Sequence, residues 1–482
     1  MNPLSPRRPG KLHPGSLATL ILLLAAGLGL RLWMLHKFFD VSGDSQVYGG
    51  IAKNLLLLGR YALGSLPQDA YPTLIRLPGY PFFLAACFRL FGMENYRAVV
   101  LVQIGLEILG CLLLGDLARR IASPRAGWAT LALALLCPFT ASYAILPLTE
   151  SLTLFCIALA LWSAEGFRRK RNWSNALGFT LAITVAALLR PDGAVAGVAL
   201  APAMLLACFP PRSRKNTENA PLSFWKRENK KKLLTMAAVC LLLATAPFAA
   251  WGARNWKVFH LAQPLAPRYA TEPGEAINLG WIRWIKTWCL DFNCTYQVYW
   301  LVPGDVLNIS ALPERAFDSK TQYDATLQLA ADYNHNGQQL TPDLDARFNQ
   351  LAIEREQSHP WRSRLWMPLG RVADMWLRPR TENLPIDLDW WKYSRHHQET
   401  IFSCFYLGLN AALLLLALGG LWRRPALWPW MLLYALLRSL VLLTVEAPEA
   451  RYTLECFPMI FVLGGVFLGQ GTREQRSADS GQ

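Results

Sequence analysis

Apolar residues along the chain are gathered into ten blocks of bilayer-spanning length, separated by polar segments. A helix needs about 20 apolar residues to cross a membrane. The blocks lie at about 16–35, 97–117, 126–146, 150–167, 173–189, 194–209, 233–251, 401–421, 426–445 and 453–469. This pattern predicts an all-α polytopic membrane protein with about ten transmembrane helices.

Shorter periodic segments lie between these blocks. From Ser45 to Leu58 apolar residues recur every three or four positions, which predicts an interfacial helix that ends at Gly59. The stretch 78–92 is apolar but short, and it predicts a re-entrant or interfacial helix, with an eleventh span as the alternative.

The polar stretch 252–400 is long enough to form a small, mainly helical domain. Asp318 or Ser319 is expected to cap a helix over 320–333. Asp343 is expected to cap another over 344–357, which His359–Pro360 would stop. The segment "DYNHNG" (332–337) resembles the start of a calcium loop, but its continuation lacks the glutamate spacing, so a turn is the better interpretation.

Charge is sparse and unevenly placed. Only 17% of residues are charged, the net charge is +15, and Lys and Arg collect in the segments between apolar blocks. Such clusters favour the cytoplasmic side of a membrane, so both termini are expected inside and nucleic acid is not an expected partner. The first block lacks a signal-peptide cleavage site and reads as a retained anchor. The expected divisions are 1–251 as an N-terminal transmembrane catalytic module, 252–400 as an extracytoplasmic domain, 401–470 as C-terminal helices and 471–482 as a cytoplasmic tail.

Most of the ten cysteines lie in apolar blocks, where a thiol is a small hydrophobe. Cys289 and Cys294 lie in a polar region and could form a local disulfide in an oxidising compartment, or remain free.

With this orientation, the segments 36–96, 146–150, 189–194, 252–400 and 446–455 all fall on the outer side. Charged residues at one membrane interface can line a shared cavity, although each could also be an ordinary interfacial charge. The set comprises Asp40, Asp44, Glu150, Arg190, Asp192, Arg254 and Arg451. Glu107 and Arg438 lie deeper, inside predicted spans, and each needs a partner or water.

The order of these features resembles a known family. The relevant segments are "GDSQVYGGIAKNLLLLGRY", "RLPGYPFFLAACFRLFG", "YAILPLTESLTLF", "LLRPDGA", "WGARNWKVF" and "ARYTLECFPMI". The chain resembles the GT-C membrane glycosyltransferases, most closely the family 39 branch that holds protein O-mannosyltransferases and aminoarabinose transferases of lipid A. The resemblance implies an inverting glycosyltransferase at the outer face of the cell membrane. Its donor would be a polyprenyl-phosphate-linked sugar, and its acceptor a hydroxyl group of a lipid, glycan or protein.

The resemblance also implies roles for individual residues. Asp44 matches the acid expected to act as general base, with Asp40 as a substitute, and Glu150 matches a second acid that orients the acceptor or supports Asp44. Arg76 matches the residue that binds the lipid phosphate. Arg190, Arg254 and Arg451 are further candidates for that work, and Tyr48, Lys53, Tyr80 and Tyr452 are candidates for substrate contact.

No His/Glu pair has metal-ligand spacing, so no obligatory metal or other cofactor is expected, although a divalent metal is not excluded. Two alternative functions remain open, a glycolipid transporter or flippase and a surface polysaccharide polymerase or ligase. A transporter would usually contain internal repeats, and none is evident.

Overall fold

The computed structural model describes residues 14–64, 67–208 and 222–469, and nearly all of its regular structure is α-helical. Within those residues the only strands are β1 (Ala62–Leu63) and β2 (Tyr71–Pro72), which pair antiparallel with Ala62 opposite Pro72. The predicted fold class is therefore confirmed. The predicted basic segments before residue 14 and after 469, and the stretch 209–221, lie outside the described residues.

The described residues contain nineteen α-helices. In chain order they are α1 (Pro14–Phe38), α2 (Asp44–Leu58), α3 (Gly79–Phe91), α4 (Tyr96–Ile121), α5 (Pro124–Leu135), α6 (Pro138–Ala144), α7 (Glu150–Lys170), α8 (Trp173–Leu189), α9 (Ala194–Cys208), α10 (Leu222–Phe259), α11 (Leu279–Lys286), α12 (Phe292–Cys294), α13 (Lys320–His335), α14 (Pro342–Ser358), α15 (Met367–Leu377), α16 (His397–Trp422), α17 (Trp428–Leu442), α18 (Arg451–Leu454) and α19 (Phe457–Gly469).

Each predicted apolar block coincides with helical structure, but the number of spans is not settled at ten. Six described helices are long and apolar enough to cross a membrane, or seven if a bent pair counts as one span. Helices α8, α17 and α19 are shorter apolar helices at three of the predicted positions. The predicted span 126–146 is the bent pair, α5 and α6, with axes that differ by 52°. Pro138 explains the break, because proline lacks the N–H that a continuous helix requires.

The short segments after the first span form as predicted. Helix α2 ends at Leu58, and Gly59 closes it in the left-handed conformation at φ 64°. Helix α3 occupies the 78–92 stretch and packs against α2 and α4. Both lie at the same end of the bundle as the cavity described below.

The last helix, α19, is packed tightly between α5 and α16. Two glycines allow this approach. A Cβ added to Gly420 of α16 would overlap the carbonyl oxygen of Leu463, and one added to Gly465 of α19 would overlap Thr130 of α5. The backbones are therefore in contact, and the segment just before α19 is held against the N-terminal part of the bundle.

A buried ion pair joins α1 to α4. Arg31 is fully buried and its Nη2 donates to Glu107 Oε1 at 2.6 Å, while its Nε donates to the other carboxylate oxygen. Arg31 Nη1 also donates to the carbonyl oxygens of Leu135 at 2.7 Å and Gly27 at 2.8 Å. The partner of Glu107 is thus Arg31, not Arg438, and the sequence reasoning had not identified Arg31.

The residues between α10 and α16 contain a hydrophobic core of their own, in which Trp281, Trp284 and Trp288 pack with Phe348. We call residues 260–396 the intervening domain. Helix α10, which precedes it, ends at Phe259. The predicted division at residue 252 stays a prediction. Cys289 and Cys294 are joined by a disulfide.

The helix caps in this domain were predicted in part. Ser319 caps α13 by accepting from Gln322 N at 3.2 Å, as expected. The predicted Asp343 cap of α14 is wrong. Thr341 accepts from Leu344 N at 3.3 Å instead, because the helix begins two residues earlier than predicted, at Pro342, whose fixed φ suits the first helical position.

We expect Glu107→Gln to destabilise the protein by roughly 3–5 kcal/mol, because it leaves the Arg31 charge buried without a counter-ion. Thermal unfolding in detergent or nanodiscs would measure the loss. Glu94→Gln is the control, since Glu94 lies just before the same helix, is 47% exposed and pairs at the surface with Lys53.

The double variant Arg31→Met with Glu107→Leu should recover most of that stability, because apolar side chains of similar volume remove both charges together. A double variant no more stable than Glu107→Gln would contradict the proposed role of the pair.

Candidate active site

A cavity of about 1130 Å³ opens at one end of the helix bundle. Its lining comes from segments that are far apart in the sequence, within 38–48, 75–77, 143–150, 189–192, 266–270, 292–300, 382–384 and 441–452. Each of the five segments predicted to share one interface contributes to this wall. The cavity therefore lies where the bundle meets the intervening domain.

Asp44 is the first residue of α2 and is held between two arginines. The turn before it uses Gly43 at φ 52°, a left-handed conformation that glycine adopts without strain. Arg76 Nη2 donates to Asp44 Oδ1 at 2.7 Å, and Arg451 Nη1 donates to Oδ2 at 3.3 Å. Burial disfavours the charged form, but the charges of Arg451 and Arg76 outweigh it and hold the pKa of the Asp44 carboxyl below its ordinary value. Asp44 is consequently an anion at neutral pH.

Glu150 is the first residue of α7 and is almost fully buried. Its Oε1 accepts from Arg190 Nη1 at 3.0 Å and lies 3.8 Å from Arg451 Nη1. Arg451 also pairs with Glu449 at 2.6 Å. Arg451 is thus the link between the two acids that the sequence placed at the site, Asp44 and Glu150.

The arrangement of alternating charges continues deeper. Arg190 lies 3.3 Å from Asp192 and 3.4 Å from Glu455. Arg438 is fully buried, donates to Asp192, and lies 3.3 Å from Glu455. A lone charge in an apolar span must find a partner. The position of Arg438 inside a predicted span was therefore the sequence signal that pointed to this buried group of charges.

Four of these charged residues were not among the predicted site residues, namely Asp192, Arg438, Glu449 and Glu455. Asp192 had been named at the same interface, and Glu449 and Glu455 lie in the segment 446–455 that was placed on the same side. The spacing of Glu449 and Glu455 around Arg451 carried no motif that would distinguish them from ordinary loop and helix-end acids.

Two predicted tyrosines line the cavity. The Tyr48 ring lies under the Arg76 guanidinium at 5.7 Å, and burial, with the nearby Asp44 charge, raises the pKa of Tyr48 to about 12. Tyr452 donates its hydroxyl to Glu449 Oε1 at 2.6 Å and lies under Arg190 at 5.4 Å. Both phenols are neutral at physiological pH and available for hydrogen bonding.

Asp40 lies on the cavity wall and accepts a hydrogen bond from the Ser42 hydroxyl. Three other predicted site residues do not reach the cavity. They are Arg254, Lys53 and Tyr80, and their placement corrects the sequence analysis.

Arg254 points to the loop after α2 instead. Its Nη1 and Nη2 donate to the carbonyl oxygens of Thr73 at 2.7 Å and Tyr61 at 2.8 Å, and its guanidinium stacks on Trp251 at 4.9 Å. The arginine thus ties α10 to the β1–β2 hairpin, and its fork is occupied by backbone rather than left for a ligand.

Lys53 pairs with Glu94 at 3.3 Å at the surface, outside the part of α2 that lines the cavity. Tyr80 is fully buried and donates to Gln103 Oε1 at 2.6 Å, which fixes α3 to α4. Both side chains hold the first-loop helices in place.

Within the described residues, no group of three or more His, Cys, Asp or Glu side chains is placed to hold a metal ion. The predicted independence from an obligatory metal has not been tested and stays a prediction.

Residues 76–251 match the family model of dolichyl-phosphate-mannose-protein mannosyltransferases. The match begins at Arg76 and includes Glu150 and Arg190, so it covers part of the cavity wall described above. The chain matches none of the curated protein sequences with which it was compared.

Two solved structures have a similar arrangement at 14% sequence identity. One is ArnT from Cupriavidus metallidurans bound to undecaprenyl phosphate, with a TM-score of 0.37 over 94% of this chain and 77% of that one. The other is the archaeal oligosaccharyltransferase AglB from Archaeoglobus fulgidus in complex with an inhibitory peptide and a dolichol-phosphate, with a TM-score of 0.43 over 94% of this chain and 50% of that one. This chain thus spans half the length of AglB. At these scores neither likeness bears on the activity of this chain, and the match of the family model supports a membrane glycosyltransferase of the GT-C superfamily.

Proposed function

We propose that this protein transfers a sugar from a polyprenyl-phosphate-linked donor to a hydroxyl acceptor, with inversion at the anomeric carbon, in the cavity that contains Asp44. The observation that carries the proposal is the position of Asp44 between Arg76 and Arg451 on the cavity wall. A carboxylate that can accept a proton and guanidiniums that can bind a phosphate are the two groups such a transfer needs.

The proposed roles of the arginines follow from the ion pairs and hydrogen bonds that each of them already forms. Arg76 forms one ion pair, with Asp44, and its buried Nε has no hydrogen-bond partner among the described residues. Arg190 faces three carboxylates. Arg76 therefore has the most capacity left for a phosphate. Arg451 also faces three carboxylates, but one of them is Asp44 itself, so Arg451 is the proposed partner of Arg76 across Asp44. Arg190 does not contact Asp44 and chiefly positions Glu150.

The cavity wall is also apolar where the lipid would approach. Val441, Leu442 and Val445, at the end of α17, line it together with Phe292 and Trp300 of the intervening domain. An isoprenoid chain suits such a wall, because its burial removes apolar surface from water.

In the proposed reaction, the acceptor oxygen attacks the anomeric carbon from the face opposite the phosphate. Asp44 takes the hydroxyl proton as the new carbon–oxygen bond forms, and the electrons of the breaking bond pass to the phosphate oxygen. Arg76 and Arg451 stabilise the charge that develops there. As they turn toward the phosphate they release Asp44, whose affinity for a proton then rises.

Asp44→Asn should lower the transfer rate by about 10²–10⁴-fold, because the amide cannot accept the proton. The assay uses purified protein in liposomes with polyprenyl-phosphate mannose and a panel of hydroxyl acceptors. Asp343→Asn is the control, since Asp343 is 80% exposed and remote from the cavity. Equal turnover by Asp44→Asn and wild type would remove Asp44 as the base, and movement of labelled lipid across the bilayer without sugar transfer would favour a flippase.

Arg76→Ala should move the acidic limb of the kcat/KM–pH profile to higher pH. Arg76 helps to lower the pKa of Asp44, so its removal raises that pKa, and the carboxylate is protonated at a higher pH than in the wild type. The donor KM should also rise, roughly ten- to hundredfold, because charge-assisted hydrogen bonds to the phosphate are lost.

Arg76→Lys separates the two effects. It retains the charge near Asp44 but loses the planar fork that binds phosphate oxygens in pairs. The acidic limb should therefore stay in place while the donor KM rises. An unchanged donor KM in both variants would contradict the assignment of Arg76 to the phosphate.

We also propose that the cavity faces the outer side of the cell membrane. A membrane-impermeant thiol reagent applied to intact cells should label Ser42→Cys but not Arg171→Cys, in a background with Cys404→Ala because Cys404 is exposed. Both chosen positions are exposed and lie at opposite ends of the predicted spans. Labelling of Arg171→Cys alone would reverse the orientation.

A further inference from the structure

Two consecutive side chains on the cavity wall carry polar atoms without hydrogen-bond partners. Glu382 and Asn383 lie in the connection between α15 and α16, and both line the cavity. The Glu382 side chain is only 7% exposed. Its Oε1 and the Nδ2 of Asn383 are buried and make no hydrogen bond within the described residues. Because buried polar groups in folded proteins are almost always hydrogen-bonded, two such groups on a cavity wall indicate a ligand.

The nearest cation does not satisfy Glu382. Arg378 Nε lies 3.9 Å from Glu382 Oε1, which is too long for a hydrogen bond. The Nη1 of Arg378 donates to Asp374 at 3.2 Å and its guanidinium stacks on Phe292 at 5.0 Å, while its buried Nε, which faces Glu382, also makes no hydrogen bond within the described residues. Burial raises the pKa of Glu382 despite the charges of Arg378 and Arg380. The local ion pairs therefore do not account for the free oxygen.

The two groups lie beside the proposed reaction centre. Tyr143 lines the same cavity and is close enough to Glu382, Glu150 and Arg451 for all three charges to act on its hydroxyl. Glu382 is likewise within electrostatic range of Glu449, the partner of Arg451. A ring bound at Glu382 and Asn383 would thus lie in the same cavity as the arginines proposed to bind the donor phosphate.

We propose that Glu382 and Asn383 form a sugar-binding subsite that recognises two neighbouring hydroxyl groups of a glycosyl ring. One side chain offers a free acceptor oxygen and the next a free N–H donor, and a pair of adjacent hydroxyls can donate to the first and accept from the second. This inference rests on the proposed function and adds the group that selects the substrate. The ring could belong to the donor or to a glycan acceptor, and the chemistry of recognition is the same for both.

The subsite is tested first by binding, without turnover. Saturation-transfer NMR on the full-length protein in nanodiscs would measure the affinity of methyl glycosides of mannose, glucose, galactose and arabinose, and of their monodeoxy analogues. Glu382→Gln, which keeps the size of the side chain, and Asn383→Leu should each weaken binding of the preferred glycoside by about tenfold. Glu354→Gln is the matched control, because Glu354 is exposed and its side chain accepts a hydrogen bond from Gln350 on the same helix.

The deoxy analogues separate recognition from folding. Wild type should bind the parent glycoside better than the analogue that lacks a recognised hydroxyl, and the two variants should lose that preference. A merely structural role for Glu382 and Asn383 would lower stability and leave the preference in place. Unchanged affinity and preference in both variants, or no Glu382-dependent binding of any glycoside, would overturn the subsite.

The transfer assay then identifies the source of the ring. A rise in the KM of the lipid-linked donor assigns the subsite to the donor sugar, and a rise in the KM of a glycan acceptor assigns it to the acceptor. If wild type transfers no sugar but binds a glycoside through Glu382 and Asn383, the proposed function fails and the subsite stands. If transfer occurs and both KM values are unaffected by the variants, the subsite fails and the proposed function stands.

Discussion

Charge pairing in a low-dielectric helix bundle is the constraint on which this structure depends. An unpaired charge at membrane depth is costly, so Arg31, Arg438 and the arginines of the cavity wall are held against carboxylates. The buried Arg371 and Arg380 donate to carbonyl and hydroxyl oxygens instead. Arg31 meets Glu107 between α1 and α4. At the cavity, acids and guanidiniums alternate in one connected group that consists of Arg76, Asp44, Arg451, Glu150, Arg190, Asp192, Arg438 and Glu455. Requirements for stability and for the proposed chemistry are therefore met by the same side chains.

Much of the fold was predictable because its signals are local. Runs of apolar residues fixed the positions of the membrane helices, and Gly59 fixed the end of α2. The break at Pro138 and the Thr341 cap show where local signals compete, since a proline inside an apolar block ended one helix and a proline next to Asp343 started another two residues early. The count of spans depends on helix lengths and bends, which hydropathy alone does not give.

Part of the site was predictable, because membrane sidedness places residues from distant segments on the same side of the bilayer. That reasoning brought Asp44, Glu150, Arg76, Arg190 and Arg451 to one cavity. It misplaced Arg254, because side chains at one membrane interface can point in different directions. On α10 this arginine points toward the β1–β2 hairpin. It also passed over Glu449, Glu455 and Glu382. Glu449 contacts the neighbouring Arg451 and Tyr452 without forming a known motif, Glu455 faces the distant Arg190, and Glu382 is marked by a missing contact.

The glycine contacts of α19 have a consequence for the order of assembly. Gly420 and Gly465 let α19 lie backbone to backbone between α16 and α5, and this places Arg451 beside residues from the first third of the chain. During synthesis, Asp44 and Glu150 reach the membrane some three hundred residues or more before that arginine. Before α18 and α19 insert, Asp44 and Glu150 have Arg76 and Arg190 as counter-ions but lack the arginine that links them, so the pocket is completed only in the last step of biogenesis.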